Sequence, residues 1–348
     1  MRIVYVFVFE NYQLKNQIPN MKKIGKIAVW LVIVLVFMGI ILLGYVKFGL
    51  PDVGQAADLK IESTAERLER GKYLANHVCL CMDCHSVRDW SKLSGPVDMN
   101  SFGAGGDRFD HNMGLPGIYY ASNITPHGLK DWTDGEIYRA ITNGVTKDNR
   151  ALFPIMPYQH FMQMDPEDVY SIIAYIRTLP TKESEIKASE SDFPMNFIIN
   201  TIPQKMDIKI VKPSANDQIA YGRYLVNAAS CSDCHSKMEK GKPVSGMDFA
   251  GGNEFKYPDG KTSNFSANIT PDTETGIGLW TEEQFVNRFA AYREIKENPR
   301  AVSKGEFQTI MPWIMMSGMN DSDLKAIYAY LRTIKPVRNK VTPFVTAD

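Results

Sequence analysis

The stretch Cys81-Met82-Asp83-Cys84-His85 decides the organisation of this 348-residue chain, because it returns as Cys231-Ser232-Asp233-Cys234-His235. Both stretches have the form Cys-x-x-Cys-His, with two thiols about one helical turn apart and an imidazole directly after the second. Four of the five cysteines lie in these two motifs, which leaves too few for a disulfide framework. The chain therefore carries the same set of two thiols and one imidazole twice, with the same spacing between them.

Matching segments flank both motifs in the same order, which indicates an internal duplication. Gly71-Lys72-Tyr73-Leu74 returns as Gly222-Arg223-Tyr224-Leu225, Asn123-Ile124-Thr125-Pro126 as Asn268-Ile269-Thr270-Pro271, and Ile155-Met156-Pro157 as Ile310-Met311-Pro312. We predict two domains of one fold, a first repeat at 65–180 and a second repeat at 215–335. The linker at 181–214 is charged at its start and apolar in its second half, which we expect to pack on a domain.

The fold class predicted for each repeat is all-α, a few helices joined by long loops. Capping signals precede apolar-periodic segments in both repeats: Thr133 with Glu136, Thr281 with Gln284, and the N-cap candidates Asp165 and Asn320. The stretches between them are rich in Gly, Pro and Asn and contain no convincing alternating strand. Loops of this length need something other than protein at the centre of the domain.

The Cys-x-x-Cys-His motif is the attachment signature of c-type haem. Its two thiols form thioethers with the haem, and the His that follows binds the iron. One zinc site built from both thiol pairs would need them about 15–20 residues apart, whereas the pairs lie in separate repeats. A redox dithiol would not require a His after each pair. We predict two covalently attached haem c groups, bound by Cys81, Cys84 and His85 and by Cys231, Cys234 and His235.

The second axial ligand of each iron is predicted from the repeat register. Met156 and Met311 occupy equivalent positions, each between Ile and Pro on a loop ahead of the last helix. A thioether beside a rigid proline suits a distal ligand. The predicted iron ligands are therefore His85 with Met156 and His235 with Met311.

Other residues compete for this role. Met164 and Met319 also match, but each precedes an N-cap, where an apolar side chain usually packs as a hydrophobic staple. In the first repeat, His111, His127 and His160 are alternatives, whereas the second repeat contains no His besides His235.

Three glycine or cysteine features have weaker interpretations. Gly95 and Gly246 follow the haem His closely enough for a backbone carbonyl to accept the imidazole N–H. Gly71 and Gly222 are expected either to let the first and last helices cross closely or to serve plain helix packing. Cys79 has no partner in a motif and is expected to be a small buried hydrophobe.

An apolar run from Ile27 to Val46 contains no charged residue. A helix of this length spans roughly 30 Å, the thickness of the hydrocarbon layer of a membrane. Basic residues precede the run, so we predict that residues 1–50 are a cytoplasmic N-terminus with a membrane anchor and that the rest lies on the periplasmic side of the bacterial inner membrane. A cleaved signal peptide is the alternative, and both Met1 and Met21 remain candidate start residues.

The chain has 39 basic and 39 acidic residues, but the charges are unevenly distributed. Residues 1–50 hold six basic and one acidic residue, so the remainder holds 33 basic and 38 acidic ones. The absence of a basic excess argues against nucleic-acid binding, and the 44% hydrophobic content excludes a wholly disordered chain. A mildly acidic external part would favour a basic partner.

These residues resemble the class I cytochrome c modules in the cytochrome subunits of membrane-bound alcohol and gluconate dehydrogenases. The likeness covers about residues 65–335. It rests on both haem motifs, Asn268-Ile269-Thr270-Pro271, Gly276-Ile277-Gly278, Trp280-Thr281, Met311-Pro312 and Phe193-Pro194. The resemblance implies that electrons arrive from a separate flavin or quinoprotein subunit and leave to quinone or an oxidase. Those subunits usually carry three haem modules, whereas two are recognised here.

The sequence therefore predicts a membrane-anchored di-haem electron carrier rather than an enzyme. Its expected partners are a dehydrogenase or quinol-oxidising donor and an oxidase or cytochrome acceptor. The alternative is a di-haem redox enzyme of the peroxidase or thiosulfate dehydrogenase type. Such catalysis needs an open or unusually bound iron, against which a matching Met in both repeats argues.

Overall fold

The computed structural model describes residues 21–205, 210–239, 241–257, 262–303 and 305–346. Arg2 and Lys15, which contribute to the predicted membrane orientation, lie outside these residues. The chain divides into two compact units, residues 1–49 and residues 50–348. Each unit is described by itself.

In the part of the first unit that the structure describes, residues 21–49, helix α1 spans Met21–Phe48. Residues Lys23–Phe48 are long and apolar enough to cross a membrane, with a mean hydropathy of 3.0 over an 18-residue window. The predicted run from Ile27 to Val46 lies within this span. A signal sequence would have the same features, so the helix by itself does not separate the two alternatives.

The first repeat is built from five helices and short strands. The helices are α2 (Ala65–Tyr73), which continues as a π-helical turn (Leu74–Val78), α3 (Cys81–Cys84), α4 (Asp134–Asn143), α5 (Tyr158–Phe161) and α6 (Pro166–Ile176). Single 3₁₀ turns occupy Met99–Ser101 and His111–Met113. The strands are β1 (Arg108–Phe109), β2 (Gly117–Tyr120) and β3 (Glu190–Ser191), followed by α7 (Met195–Ile198) and a 3₁₀ turn (Ile199–Thr201).

The second repeat contains a helix in each corresponding place. Its helices are α8 (Gln218–Ala228), α9 (Cys231–His235), α10 (Glu282–Glu297), α11 (Trp313–Met316) and α12 (Asp321–Leu331). The strands are β4 (Met238–Glu239), β5 (Lys242–Pro243), β6 (Glu254–Lys256), β7 (Thr262–Phe265) and β8 (Phe344–Thr346).

The strands form two small antiparallel sheets, ordered β1-β2-β3 and β6-β7-β8, and a hairpin of β4 and β5. Arg108 pairs with Tyr120 and Gly117 with Ser191 in the first sheet. The helices agree with the sequence prediction, whereas the strands were not predicted and qualify the all-α class. Strands of two to four residues are too short to show a period-two pattern.

Segments beyond the predicted domain ends complete both sheets. Strand β3 comes from the linker and β8 from the chain after residue 335. The charged first half of the linker contacts the first repeat, because Lys182 Nζ donates to the carbonyls of Met99 and Asn100. The apolar second half was expected to pack on a domain, but it leaves Phe193 80% and Ile198 44% exposed. Each repeat is thus covered by the segment that follows it.

The first and last helices of each repeat cross closely at a glycine. A Cβ at Gly71 would lie 1.8 Å from the carbonyl oxygen of Ser171, and one at Gly222 would lie 1.9 Å from that of Ala326. No larger residue fits at either crossing without moving a helix. The expected close crossing of these helices is confirmed.

Three of the four predicted caps are present, whereas Asn320 lies at the N-cap position of α12 without a capping hydrogen bond from its side chain. Thr133 with Glu136 and Thr281 with Gln284 form reciprocal capping boxes. The Asp165 side chain accepts the amide of Glu167 at the start of α6. The face of α6 predicted to be apolar is buried in the core: Val169, Ile172, Ile173 and Ile176.

The two repeats contact each other through a nearly reciprocal pair of hydrogen bonds. The Tyr73 hydroxyl donates to Asp323 Oδ2 at 2.7 Å, and the equivalent Tyr224 hydroxyl donates to Asp168 Oδ2 at 2.8 Å. Helix α5 of the first repeat lies against α8, while α11 lies against the π-helical turn after α2. The contact therefore has approximate two-fold symmetry.

Candidate functional site

Each Cys-x-x-Cys-His motif forms a single helical turn that begins after a left-handed residue. Leu80 precedes α3 with φ 55°, and Ser230 precedes α9 with φ 51°. Such a backbone conformation is uncommon for residues other than glycine, and it occurs here at the same place twice. All four motif cysteines are free thiols.

The motif histidines are held by one nitrogen in the same way. His85 Nδ1 donates to the carbonyl oxygen of Ser122 at 2.7 Å, and His235 Nδ1 donates to that of Ala267 at 2.7 Å. Among the described residues, neither Nε2 has a hydrogen-bond partner. A histidine fixed through Nδ1–H presents the lone pair of Nε2, the arrangement typical of a metal ligand.

Desolvation lowers the pKa of both histidines, partly offset by the carbonyl that each one contacts. Both imidazoles are therefore favoured in the neutral form that can bind a metal.

The expected role of Gly95 and Gly246 was wrong. The Gly95 carbonyl accepts Arg88 Nε at 2.8 Å instead of the imidazole. The carbonyls that hold the histidines come from the residues just before the two Asn-Ile-Thr-Pro segments. A contact across more than thirty residues depends on how the loop folds back, which spacing along the chain does not reveal.

The Asn-Ile-Thr-Pro segments explain why these carbonyls are fixed. Asn123 Oδ1 accepts both the amide and the hydroxyl of Thr125, while its Nδ2 donates to Lys182 O and Ser184 Oγ. Asn268 and Thr270 repeat the first pair of bonds. The Asn268 amide also binds the chain after residue 335, at the Val337 carbonyl.

The repeated Ala-Gly-Gly segments fix the backbone of the histidines. The amide of Gly105 donates to the His85 carbonyl at 2.9 Å, and that of Gly251 donates to the His235 carbonyl at 2.6 Å. Both glycines have positive φ, 74° and 71°. A Cβ at Gly105 would also lie 2.5 Å from the Ser122 carbonyl carbon, so the position requires glycine.

The surroundings of the motif thiols disfavour their thiolate form. Desolvation raises the pKa of Cys81 and Cys231 to about 12 and that of Cys234 to about 11, and it also raises the pKa of Cys84. No cluster of three or more potential metal ligands occurs among the described residues. The structure therefore brings no set of zinc ligands together there.

The candidate methionines differ in their surroundings. Met156 and Met311 are half-buried beside the core, each ahead of a proline with ψ near 50°. The carbonyl of each accepts the amide two residues later, so both methionines lie in the same turn.

Met164 and Met319 are instead fully buried in the core, which fits their interpretation as apolar staples. The Cys79 thiol is also buried and contacts Met164 Sδ at 3.8 Å. Its predicted role as a small buried hydrophobe is confirmed.

Two of the three competing histidines have other partners. His111 Nε2 bonds Asp192 Oδ2 at 2.7 Å. Both ring nitrogens of His160 bond side chains of the second repeat, Asn227 and Asp233. His127 is half-buried directly after the first Asn-Ile-Thr-Pro segment.

The donor set in each repeat fits a covalently attached haem. Two unpaired thiols, an imidazole with a free Nε2 and a half-buried thioether supply the groups that c-type haem requires. Cys81, Cys84, His85 and Met156 could hold one haem. Cys231, Cys234, His235 and Met311 could hold the other.

Comparison with known proteins supports this interpretation. Residues 219–335 match the family model described as Cytochrome c. The chain is 25% identical, over 78% of its length, to the cytochrome c subunit of alcohol dehydrogenase (quinone) from Gluconobacter oxydans (strain 621H), covering 55% of that protein. It is 26% identical, over 81% of its length, to the gluconate 2-dehydrogenase cytochrome c subunit of Pantoea cypripedii, and the match covers 62% of that protein.

A third relative is named as a diheme cytochrome c-type protein, from Cereibacter sphaeroides (strain ATCC 17023). It is 27% identical over 45% of this chain and 53% of its own length. The chain thus spans little more than half the length of these relatives. The matches confirm the resemblance to cytochrome c subunits of dehydrogenases, and they show a cytochrome c domain in the second repeat.

Proposed function

From the cytochrome c domain in residues 219–335, we propose that the chain is a membrane-anchored electron carrier with two covalently attached haem c groups. The observation that carries the proposal is the repeated anchoring of a motif histidine by a backbone carbonyl at 2.7 Å. A protein that needed only one haem would have no use for this arrangement in both repeats.

We assign four residues to each haem. Cys81 and Cys84 would bind the haem covalently in the first repeat, and His85 and Met156 would bind its iron. Cys231, Cys234, His235 and Met311 would do so in the second. A haem held by these residues would supply one-electron exchange with little rearrangement, since a histidine and a methionine would both bind its iron.

The protein groups keep the ligand geometry constant during this exchange. The carbonyls of Ser122 and Ala267 hold the rings, and Gly105 and Gly251 hold the backbone behind them. Fixed ligands lower the reorganisation that accompanies electron transfer, which suits a carrier better than an enzyme with an open iron position.

We place the two repeats on the periplasmic side of the inner membrane, anchored by α1. The basic residues before the apolar run from Ile27 to Val46 favour a cytoplasmic N-terminus. By analogy with the dehydrogenase subunits, the donor is a dehydrogenase or quinol-oxidising protein and the acceptor an oxidase or another cytochrome. The acidic excess of residues 51–348 would favour a basic patch on the partner.

Absorption spectra of the purified full chain in detergent test the ligand assignment. We expect two low-spin haems in the ferric protein, with the band in the far red that marks a methionine-to-iron bond. Met156→Ala and Met311→Ala should each remove half of that band and leave one haem with an open position. The matched controls Met164→Leu and Met319→Leu should keep it, because their side chains belong to the core.

A high-spin haem in the unmodified ferric protein would contradict the carrier assignment for that repeat. It would favour the di-haem enzyme instead.

A further inference from the structure

Both haem motifs carry an aspartate directly before their second cysteine, Asp83 and Asp233. A carboxylate at this place lies only two residues from the motif histidine along the chain. Its negative charge therefore acts on whatever cofactor that histidine binds. The two repeats neutralise this charge with different side chains.

In the first repeat the counter-ion is an arginine within the same repeat. Arg88 Nη1 lies 2.9 Å from Asp83 Oδ2, and both side chains are nearly buried, at 7% and 8% exposure. Arg88 also donates to the carbonyls of Ser94 and Gly95. Arginine stays charged at every accessible pH, so this counter-ion is permanent.

In the second repeat the counter-ion is a histidine from the first repeat. His160 Nε2 lies 2.6 Å from Asp233 Oδ1, with side-chain exposures of 18% and 48%. His160 Nδ1 lies 2.9 Å from Asn227 Oδ1. The orientation of the Asn227 amide is fixed because its Nδ2 donates to the His160 carbonyl at 2.9 Å.

Both ring nitrogens of His160 thus face hydrogen-bond acceptors. Only the imidazolium can donate to both, since a neutral ring would turn one lone pair towards an oxygen. Burial favours the neutral ring, but the bond to Asp233, its charge and the bond to Asn227 outweigh it and raise the pKa of His160.

The charged and titratable groups on the elements around α5 have other partners or face solvent. Helix α8 carries Tyr221, Arg223 and Tyr224, and α4 carries Asp134, Glu136, Tyr138 and Arg139. Tyr221 interacts with Arg70, and the ring of Tyr138 lies against that of Tyr170. Tyr224 bonds Asp168, Asp134 pairs with Arg177, Glu136 caps the amide of Thr133, and Arg139 donates to the carbonyls of Gly54 and Thr146. Arg223 is exposed. Asp233 is the carboxylate bonded to His160.

We propose that His160 couples proton binding to the reduction of the haem in the second repeat, whereas the haem in the first repeat lacks such a device. The proposal rests on the proposed function, since it requires a haem in each repeat. One electron enters the iron from a donor, and up to one proton from water binds the His160 imidazole. No other bond forms or breaks.

The direction of the pH dependence follows from the charge on the iron. The ferrous centre carries one positive charge less than the ferric one, so it favours the imidazolium more. We expect the ferrous protein to bind the His160 proton about tenfold more tightly. A change of one unit charge nearby has an effect of this order. A tenfold change corresponds to about 59 mV in the one-electron potential. The potential of the second haem should fall as pH rises through the pKa of His160.

Potentiometric titration of the full chain in detergent, with a chemical reductant and mediators, tests the proposal. The window should run from about pH 7 to 9, because desolvation raises the pKa of Asp107, near Cys84, to about 6. We expect two one-electron waves, of which one falls with pH and the other stays level. His160→Gln should flatten the moving wave.

The matched control is His111→Gln, which removes another histidine bonded to an aspartate, Asp192, at 2.7 Å. This variant should keep the moving wave. Two level waves in the unmodified protein would overturn the proposal, as would an unchanged moving wave in His160→Gln. If His160→Gln fails to fold, Asp233→Asn must flatten the wave, and persistence of the wave there overturns the proposal. Absence of two haems would instead contradict the proposed function.

Discussion

The first and second repeats hold their motif histidines by the same 2.7 Å contact to a backbone carbonyl, yet they treat the neighbouring aspartate differently. Asp83 is buried beside Arg88, whereas Asp233 is half exposed beside His160 from the other repeat. The features that position the ligands are duplicated, and the features that set the local charge have diverged. Duplication of this kind can yield two similar sites with different properties.

The buried pair in the first repeat should give the largest effect. Arg88→Gln leaves the Asp83 carboxylate in a site where desolvation already raises its pKa despite the opposing charge of Arg88. We expect a loss of about 3–5 kcal/mol in the free energy of unfolding, the usual cost of breaking a buried ion pair. Chemical denaturation followed by circular dichroism measures it.

His160→Gln provides the comparison in the second repeat. It breaks a more exposed pair and should cost less than about 1 kcal/mol. Equal losses in the two variants would show that the difference in burial has no energetic consequence.

The duplicated anchoring should respond equally in both repeats. Asn123→Ala and Asn268→Ala each remove the side chain that fixes the loop behind the motif histidine. Several buried polar groups lose their partners, so we expect about 2–4 kcal/mol of destabilisation in each case. Asn216→Ala, at an exposed position, is the control and should change stability by less than about 0.5 kcal/mol. A loss in only one repeat would refute the equivalence.

The sequence predicts interactions between residues that are close along the chain better than contacts between distant ones. The capping box of Thr133 was predicted because it depends on local spacing, whereas the close crossing at Gly71 was one of two interpretations that the sequence left open. The carbonyl of Ser122 was not predicted, since a backbone atom carries no sequence signal. The Asn-Ile-Thr-Pro segment directly after it was the available clue.

The counter-ions of the motif aspartates were missed for a similar reason. Arg88 is close to Asp83 in sequence, but arginines near aspartates are common and most such pairs are exposed. The His160 contact joins two repeats and was considered only as a competing haem ligand. The short strands were missed because two to four residues cannot show a period.

Removing the hydroxyl groups of Tyr73 and Tyr224 in turn compares the two equivalent hydrogen bonds between the repeats. Tyr224→Phe leaves Asp168 bonded to Arg70 and Lys212, so we expect a loss of about 1 kcal/mol. Tyr73→Phe leaves the buried Asp323 carboxylate without its described hydroxyl partner, so the loss should be about 2 kcal/mol. Thermal unfolding of both variants shows which of them loses more stability. The reverse order would mean that Asp323 finds another partner.

The smallest effect is the pH dependence of the contact between repeats. The pKa of His160 is raised above its usual value of 6.5 by Asp233. The stabilisation is therefore complete below about pH 6.5 and is lost as pH rises through the raised pKa. We expect less than about 1 kcal/mol, because Asp233 is half exposed. Denaturation midpoints of the unmodified chain and His160→Gln should converge at high pH, and a constant gap would contradict this sign.

The central claim is that each repeat binds one haem through its own motif. Intact mass spectrometry of the full chain, of Cys81→Ala/Cys84→Ala and of Cys231→Ala/Cys234→Ala tests it most directly. We expect a mass increase of two haem groups in the unmodified protein and of one in each double variant. A single covalently bound haem in the unmodified chain, or none, would contradict it.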